Sequence, residues 1–252
     1  MHTTNLPLLK RNLHVIAVFL MVVLFGSGIW LTQPVSVPAF AELPTIAEKK
    51  QAFFSYLTPY VETVNLEVST HRSLAENLYK TSSSGSLNWF QRFQANRLAS
   101  LYLPDEFRSE HNWPAQLTEV TKRAGQIPTG LALAQAAKES GWGSSRFARL
   151  GYNFFGQHCF NRGCGFTPKR RATGLRNEVA KFASPKDAVR AYIHNLNTHP
   201  RYDRFRAIRW QLTSNGDRPK AKQLAAGLVA YSERGQPYVD EIVALIKTNK
   251  LD

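Results

Sequence analysis

The stretch Leu131–Gly156, LALAQAAKESGWGSSRFARLGYNFFG, decides how this chain reads. It opens as a run of helix formers and stops at Gly141-Trp142-Gly143, a helix-terminating signal. Ala132, Gln135, Ala136 and Glu139 share one helical face. Small residues there predict close packing against another helix and put Glu139 on the core side. A helix C-terminus carries a partial negative charge, and burial also disfavours a carboxylate. Trp142, Phe154 and Phe155 are expected to wall the group from water. Glu139 is therefore expected to keep its proton to a higher pH than an ordinary glutamate. Such a carboxyl suits a general acid that protonates a leaving oxygen at a glycosidic bond. An exposed terminal glutamate with no task, its helix capped by Gly141, fits the same periodicity.

The flanking segments predict a mainly helical chain with no internal repeat. Pro114 marks the first turn of a helix reaching Ala124, with Gly125 as its stop. Ser144–Leu150 is a short helical turn. Asn177–Phe182 alternates and reads as one arm of a β-hairpin. Ser184-Pro185-Lys186-Asp187 is a helix start with Ser at N-cap, Pro at N1 and an acid at N3, and it leads a helix to about Thr198. Two further helices are expected over about 219–231 and 237–248. Upstream, Ile46 to about Tyr79 has helical spacing (Phe53, Phe54, Leu57, Tyr60, Val61, Val64, Val68), with Pro59 kinking or dividing it. Thr81–Ser86 (TSSSGS) reads as a loop. Leu87–Leu103 is a second helix, with Trp89, Phe93, Leu98, Leu101 and Tyr102 as apolar contacts.

The chain has 252 residues and a formal net charge of +14, with 43% hydrophobic content. That length and content support a real core. The charge points to a polyanionic partner: nucleic acid, an anionic membrane or an acidic wall polymer. Lys10 and Arg11 precede an apolar run from Val15 to Leu31, and Ala39-Phe40-Ala41 offers a cleavage site. The N-terminal 1–41 is thus expected to be a signal peptide or an uncleaved membrane anchor that sends 42–252 across the inner membrane. Only Lys10 and Arg11 are charged in it, so +12 remains on 42–252. Export disfavours a nucleic-acid role, and no nucleic-acid-binding motif is present. The two cysteines, Cys159 and Cys164 in HCFNRGCGF, are expected to close a loop as a disulfide in an oxidising compartment. His158 is adjacent, but no second Cys pair or His-x-x-x-His completes a tetrahedral site, so no metal is expected.

AAKESGWGSSRFA followed by NFFG resembles the Glu-Ser-Gly-Trp-Gly/Asn-Leu-Phe-Gly core of the bacterial endo-β-N-acetylglucosaminidase family. The likeness is greatest to its Bax-type branch, through the CF-x-x-GCG loop, the following Lys-Arg-Arg and the stretch AYIHNLNTHPRY. It spans about Trp113–Lys250, and the N-terminal helical part also looks like that branch. The resemblance implies an α+β, mainly α, lysozyme-like catalytic domain over 111–252, preceded by an N-terminal helical subdomain over 42–110. It also implies hydrolysis of peptidoglycan next to N-acetylglucosamine, in the periplasm or cell envelope, with no cofactor. In this family the glutamate of the first motif is the general acid, here Glu139. Asn153, Phe154, Phe155 and Gly156 fall on the cleft floor, with Trp142, Tyr192 and Tyr202 as substrate contacts. Tyr231 falls on the tyrosine that faces the acid. The family places a second acid on a mobile hairpin. Glu178, the only acid between Glu139 and Asp187, is the candidate, either as general base or as an ordinary strand residue. If it is idle, the substrate's acetamido group can assist instead. Lys169, Arg170 and Arg171, with Arg162, are candidate grips for an anionic polymer, or a solvated face. His194 and His199 read as structural.

Overall fold

A computed structural model describes residues 36–108, 112–167 and 177–252. The apolar run 15–31 and the basic Lys169–Arg171 lie outside the described residues. The chain divides into two compact units, Met1–Ser36 and Val37–Asp252, and the second holds every described helix and strand. No described helix is long and apolar enough to cross a membrane.

The longest helix, α1 (Ile46–Ser84), starts at a capping box in which Thr45 and Glu48 bond each other's backbone N–H. Phe53, Leu57, Val61, Val64, Val68, Ala75 and Leu78 form its buried stripe, each worth about 1.5–3 kcal/mol where a large apolar side chain leaves water. Pro59 neither divides nor stops it. Pro59 is exposed, as is Ser55, whose carbonyl loses its N–H partner to the proline. The expected loop at Thr81–Ser86 is helical through Ser84. There the Thr81 and Ser84 hydroxyls bond the carbonyls of Asn77 and Lys80 one turn back, and Gly85 ends the helix.

In α2 (Trp89–Tyr102) the expected inward contacts divide. Leu98 and Tyr102 are buried, whereas Trp89 and Phe93 are 81% and 61% exposed. After the single turn α3 (Asp105–Arg108) come α4 (Trp113–Arg123), capped by Asn112, and α5 (Thr129–Ser140). Asn65 of α1 accepts from the Ile127 N–H at 2.9 Å and donates to its carbonyl at 2.7 Å, which fixes the turn entering α5. Every residue of α5 from Gly130 to Ala137 is buried, because α1 packs on one side of it and the C-terminal helices on another.

Next comes α6 (Arg146–Gly151), followed by a sheet of very short strands: β1 (His158–Cys159), β2 (Gly165–Phe166) and β3 (Glu178–Ala180). Its order is β1-β3-β2, all antiparallel, with Cys159 opposite Glu178 and Phe166 opposite Val179. β3 is therefore a central strand, not one arm of a two-stranded hairpin. The cysteine loop brings its two ends to opposite edges of β3.

Helix α7 (Pro185–Thr198) begins as its sequence predicts, with the Ser184 hydroxyl accepting from the Asp187 N–H. A 3-10 turn (Pro200–Tyr202) leads to α8 (Asp203–Ser214), which periodicity did not disclose. Its inner face carries Arg206 and Arg209 beside Phe205. Arg209 is buried and satisfied by the carbonyls of Gly125 and Arg123 and the side chain of Asn197. The helix expected over 219–231 shrinks to α9 (Ala221–Ala225). Gly227 then crosses α8 so closely that a Cβ would lie 2.5 Å from the Phe205 Cα. The last helix, α10 (Gln236–Thr248), packs against α5 and α9. The architecture is α+β and mainly α.

Candidate active site

Glu139 ends the buried helix α5 one residue before its final position, and Gly141 caps the helix in the left-handed region. The carboxyl is half-buried. Burial raises its pKa above the ordinary glutamate value, opposed by the Tyr238 phenol and by the nearby Lys138. Lys138 is itself ion-paired with Glu241 of α10. Gly156 stands directly against the acid. Its backbone is left-handed (φ 66°), and a Cβ there would come within 3.1 Å of Glu139 Oε2. The loop thus passes the carboxyl as bare backbone.

Four tyrosines surround this helix end. The Tyr238 hydroxyl accepts from Gln135 Nε2 at 3.0 Å, and Tyr231 stacks on the Tyr238 ring with centroids 5.5 Å apart and planes 9° from parallel. Tyr231 donates to the Phe155 carbonyl at 2.9 Å, tying the Asn153–Gly156 loop to the connection before α10. Tyr202 lies 5.9 Å from Tyr231, and Tyr192 stacks on Phe155 at 4.0 Å. Burial pushes the pKa of all four phenols above the usual tyrosine value. They remain neutral donors across the working range.

The other expected contacts serve the scaffold. Trp142 is in the left-handed region and turns toward α1. It packs on Phe53 at 6.0 Å and Phe54 at 5.3 Å, with the Lys50 ammonium over its ring. Phe154 is fully buried against Phe53 and Tyr56 of α1. Phe155 and Tyr192 are buried against each other. Phe154, Phe155 and Tyr192 are closed to solvent and present no ring face at the surface. Asn153 is also buried. Its amide donates to the carbonyls of Gln157 and Ala180 and accepts from the Gln157 N–H, so it pins the loop to β3.

Glu178 sits on the sheet. It is 8% exposed on β3, and its carboxylate accepts from the backbone N–H of Gly163 at 3.1 Å and of Gly165 at 2.8 Å. Cys159 and Cys164 form the expected disulfide, with Cα atoms 6.2 Å apart. Their sulfurs and a Glu178 oxygen lie within 4.8 Å of one another. The sulfurs are bonded to each other and so are not thiolate ligands for a metal.

Residues 115–251 match the family described as mannosyl-glycoprotein endo-beta-N-acetylglucosaminidase, the glucosaminidase family. The chain belongs to that family. It also resembles Protein bax of Escherichia coli (strain K12), at 29% identity over 215 residues, 85% of this chain and 75% of that protein. This agrees with the Bax-type branch read from the cysteine loop and AYIHNLNTHPRY. Among solved structures, the catalytic domain of the autolysin Auto from Listeria monocytogenes aligns with 20% identity and a TM-score of 0.36, covering 66% of this chain and 88% of that one. A glucosaminidase is a glycoside hydrolase. Glu139, Gly156 and the tyrosine cluster all fall inside the matched stretch.

Sequence reasoning missed Tyr238, whose phenol opposes the rise in the pKa of the acid. A signal for it existed one turn before Glu139. Gln135 is a polar residue on an otherwise alanine face, and a buried amide needs partners. One of those partners is Tyr238, at 3.0 Å.

Proposed function

We propose that this glucosaminidase cleaves the glycan strand of peptidoglycan at N-acetylglucosamine, with Glu139 as the general acid. The observation that carries the reading is the setting of that carboxyl. It is half-buried at a helix end, raised in pKa, and bordered by a glycine that adds no side chain beside it. A carboxyl that holds its proton can hand it to the leaving glycosidic oxygen as the C–O bond breaks. Tyr238 then stabilises the carboxylate left behind. The positive charge on 42–252 suits an anionic wall polymer. The basic start and apolar run of residues 10–31 fit an exported protein, anchored or cleaved, that works in the periplasm or cell envelope.

We also propose that Glu178 orders the cysteine loop rather than activating water. Both of its oxygens already accept backbone N–H bonds. This favours assistance from the substrate. The acetamido oxygen attacks C1 while the leaving oxygen takes the Glu139 proton, and water then opens the ring so formed.

The test is digestion of purified cell walls followed by mass spectrometry of the released muropeptides. The wild type is expected to release fragments with reducing N-acetylglucosamine ends, and Glu139→Gln to lose about 10²–10⁴-fold in rate while keeping its fold. Anhydromuramic ends would identify a lytic transglycosylase. No release at all would identify a wall-binding module.

A further inference from the structure

Helices α1, α2 and α7 meet around a cavity of about 340 Å³. Helix α7 turns Ile193, His194 and Asn197 toward it and, from its opposite face, turns Tyr192 toward Phe155 beside the acid. Two of the three walls, α1 and α2, precede residue 115, so the stretch matched to the family does not supply them. The volume falls at the lower end of the roughly 300–1,000 Å³ of small-molecule sites, which pair an apolar wall with a few convergent polar groups. Here the apolar wall is Val64 and Val68 of α1, Leu101 of α2 and Ile193 of α7.

Most polar groups around the cavity are already spent. Glu67 accepts from Arg190 at 3.0 and 3.2 Å and pairs with Lys186 at 2.7 Å, and Arg190 also pairs with Asp187. These two cations and two acids cancel. The Asn197 amide donates to the Gly125 carbonyl and accepts from Arg209. His194 donates to the Leu101 carbonyl at 2.8 Å, tying α7 to α2. Arg97 also lines the cavity and has no ion pair among the described residues. It brings one unopposed positive charge to the wall.

His71 adds a donor. Tyr102 is buried, and its hydroxyl lies 2.9 Å from His71 Nδ1. A phenol sealed from water gives its single hydrogen to the acceptor in reach, so Nδ1 accepts and Nε2 carries the ring hydrogen. Burial, with the Arg97 charge beside it, lowers the His71 pKa and keeps the ring in that neutral form. The Nε2–H has no partner among the described residues. A guanidinium and an N–H donor thus stand beside an apolar wall.

We propose that this cavity binds an amphipathic monocarboxylate, with its carboxylate on Arg97 and His71 and its apolar body against Val64, Val68, Leu101 and Ile193. The planar guanidinium matches the two oxygens of a carboxylate, and one unopposed charge suits a monoanion. Two kinds of molecule share this chemistry: a fatty acid and the C-terminus of a short apolar peptide.

The test titrates the full chain, labelled with ¹⁵N-histidine, with octanoate, with N-acetyl-alanyl-alanine and with octanamide, the neutral counterpart of octanoate. The readout is the His71 Nε2 resonance, assigned by its loss in His71→Gln. A saturable shift is expected with a carboxylate, and octanamide should bind about tenfold more weakly than octanoate, since hydrogen bonds to charged groups are of that size. Whichever carboxylate binds more tightly identifies the source. Arg97 is exposed, so Arg97→Leu should fold as wild type. It is expected to weaken carboxylate binding about tenfold, to leave octanamide binding unchanged and to digest cell walls at the wild-type rate. Three results would each overturn the proposal: no saturable shift with either carboxylate, equal binding of octanoate and octanamide, or wild-type octanoate affinity in Arg97→Leu. None of these outcomes depends on Glu139 acting as the acid.

Discussion

Two glutamates in this molecule have been given opposite surroundings. Glu139 lies at the end of a buried helix, with its pKa raised by burial and bare glycine backbone beside its carboxyl. Glu178 lies on a central strand with two backbone N–H groups on its carboxylate and a disulfide beside it. A carboxylate held by fixed dipoles on both oxygens is a structural anion. A carboxyl that is desolvated and only lightly bonded is poised to exchange a proton. Residue type and motif proximity do not distinguish the pair, but hydrogen-bond occupancy does.

The comparison breaks if the two respond alike to the same change. Glu178→Gln should stay within about tenfold of wild type on cell walls, against the 10²–10⁴-fold loss in Glu139→Gln. Equal losses in variants of equal thermal stability would restore Glu178 as a base. Removing the Glu178 carboxylate altogether, as Glu178→Ala, leaves two loop N–H groups short of partners. That should cost about 2–3 kcal/mol in urea unfolding, with a like cost for breaking the disulfide in Cys159→Ser/Cys164→Ser. Gly156→Ala sharpens the other side. Its left-handed backbone and the contact with Glu139 should cost about 1 kcal/mol and reduce wall digestion more than Tm.

The smallest effect concerns pH. Because the folded chain binds the Glu139 proton more tightly than the unfolded chain does, the stability this contributes is complete below the ordinary glutamate pKa. It is lost as pH rises through the raised folded value. Glu139→Gln should therefore match wild-type Tm near pH 4 and exceed it at pH 8. Calorimetry at both values checks the divergence, and a variant less stable at pH 8 would contradict the desolvated setting.

Much of this was readable in the sequence where local chemistry is self-contained. Ser184-Pro185 and Pro114 start helices through local chemistry, and Gly141 ends α5 where it stands. The small residues around Gln135 correctly forecast a buried face for Glu139. What escaped reading depended on partners far along the chain. Helix α8 hid because its inner face is built from Arg206 and Arg209, whose burial makes sense only beside the carbonyls that receive Arg209. Tyr238 hid because its task is set by Gln135, 103 residues away. Trp142 was legible as important but not as to which neighbour it served, since two successive left-handed residues swing it onto α1. The cysteine loop was legible as a loop; that both its ends would flank β3 was not.

Phe53 of α1 touches Phe40, Trp142 and Phe154. The stretch recognisable as a glucosaminidase begins at residue 115, yet the loop beside its acid rests on a helix that begins at Ile46. The recognisable unit and the foldable unit are therefore different lengths of the same chain. A fragment cut at the family boundary would carry every residue of the proposed chemistry and expose the underside of the Phe154 loop to water. Any excision of this enzyme for expression, fusion or display needs to start upstream of Phe40.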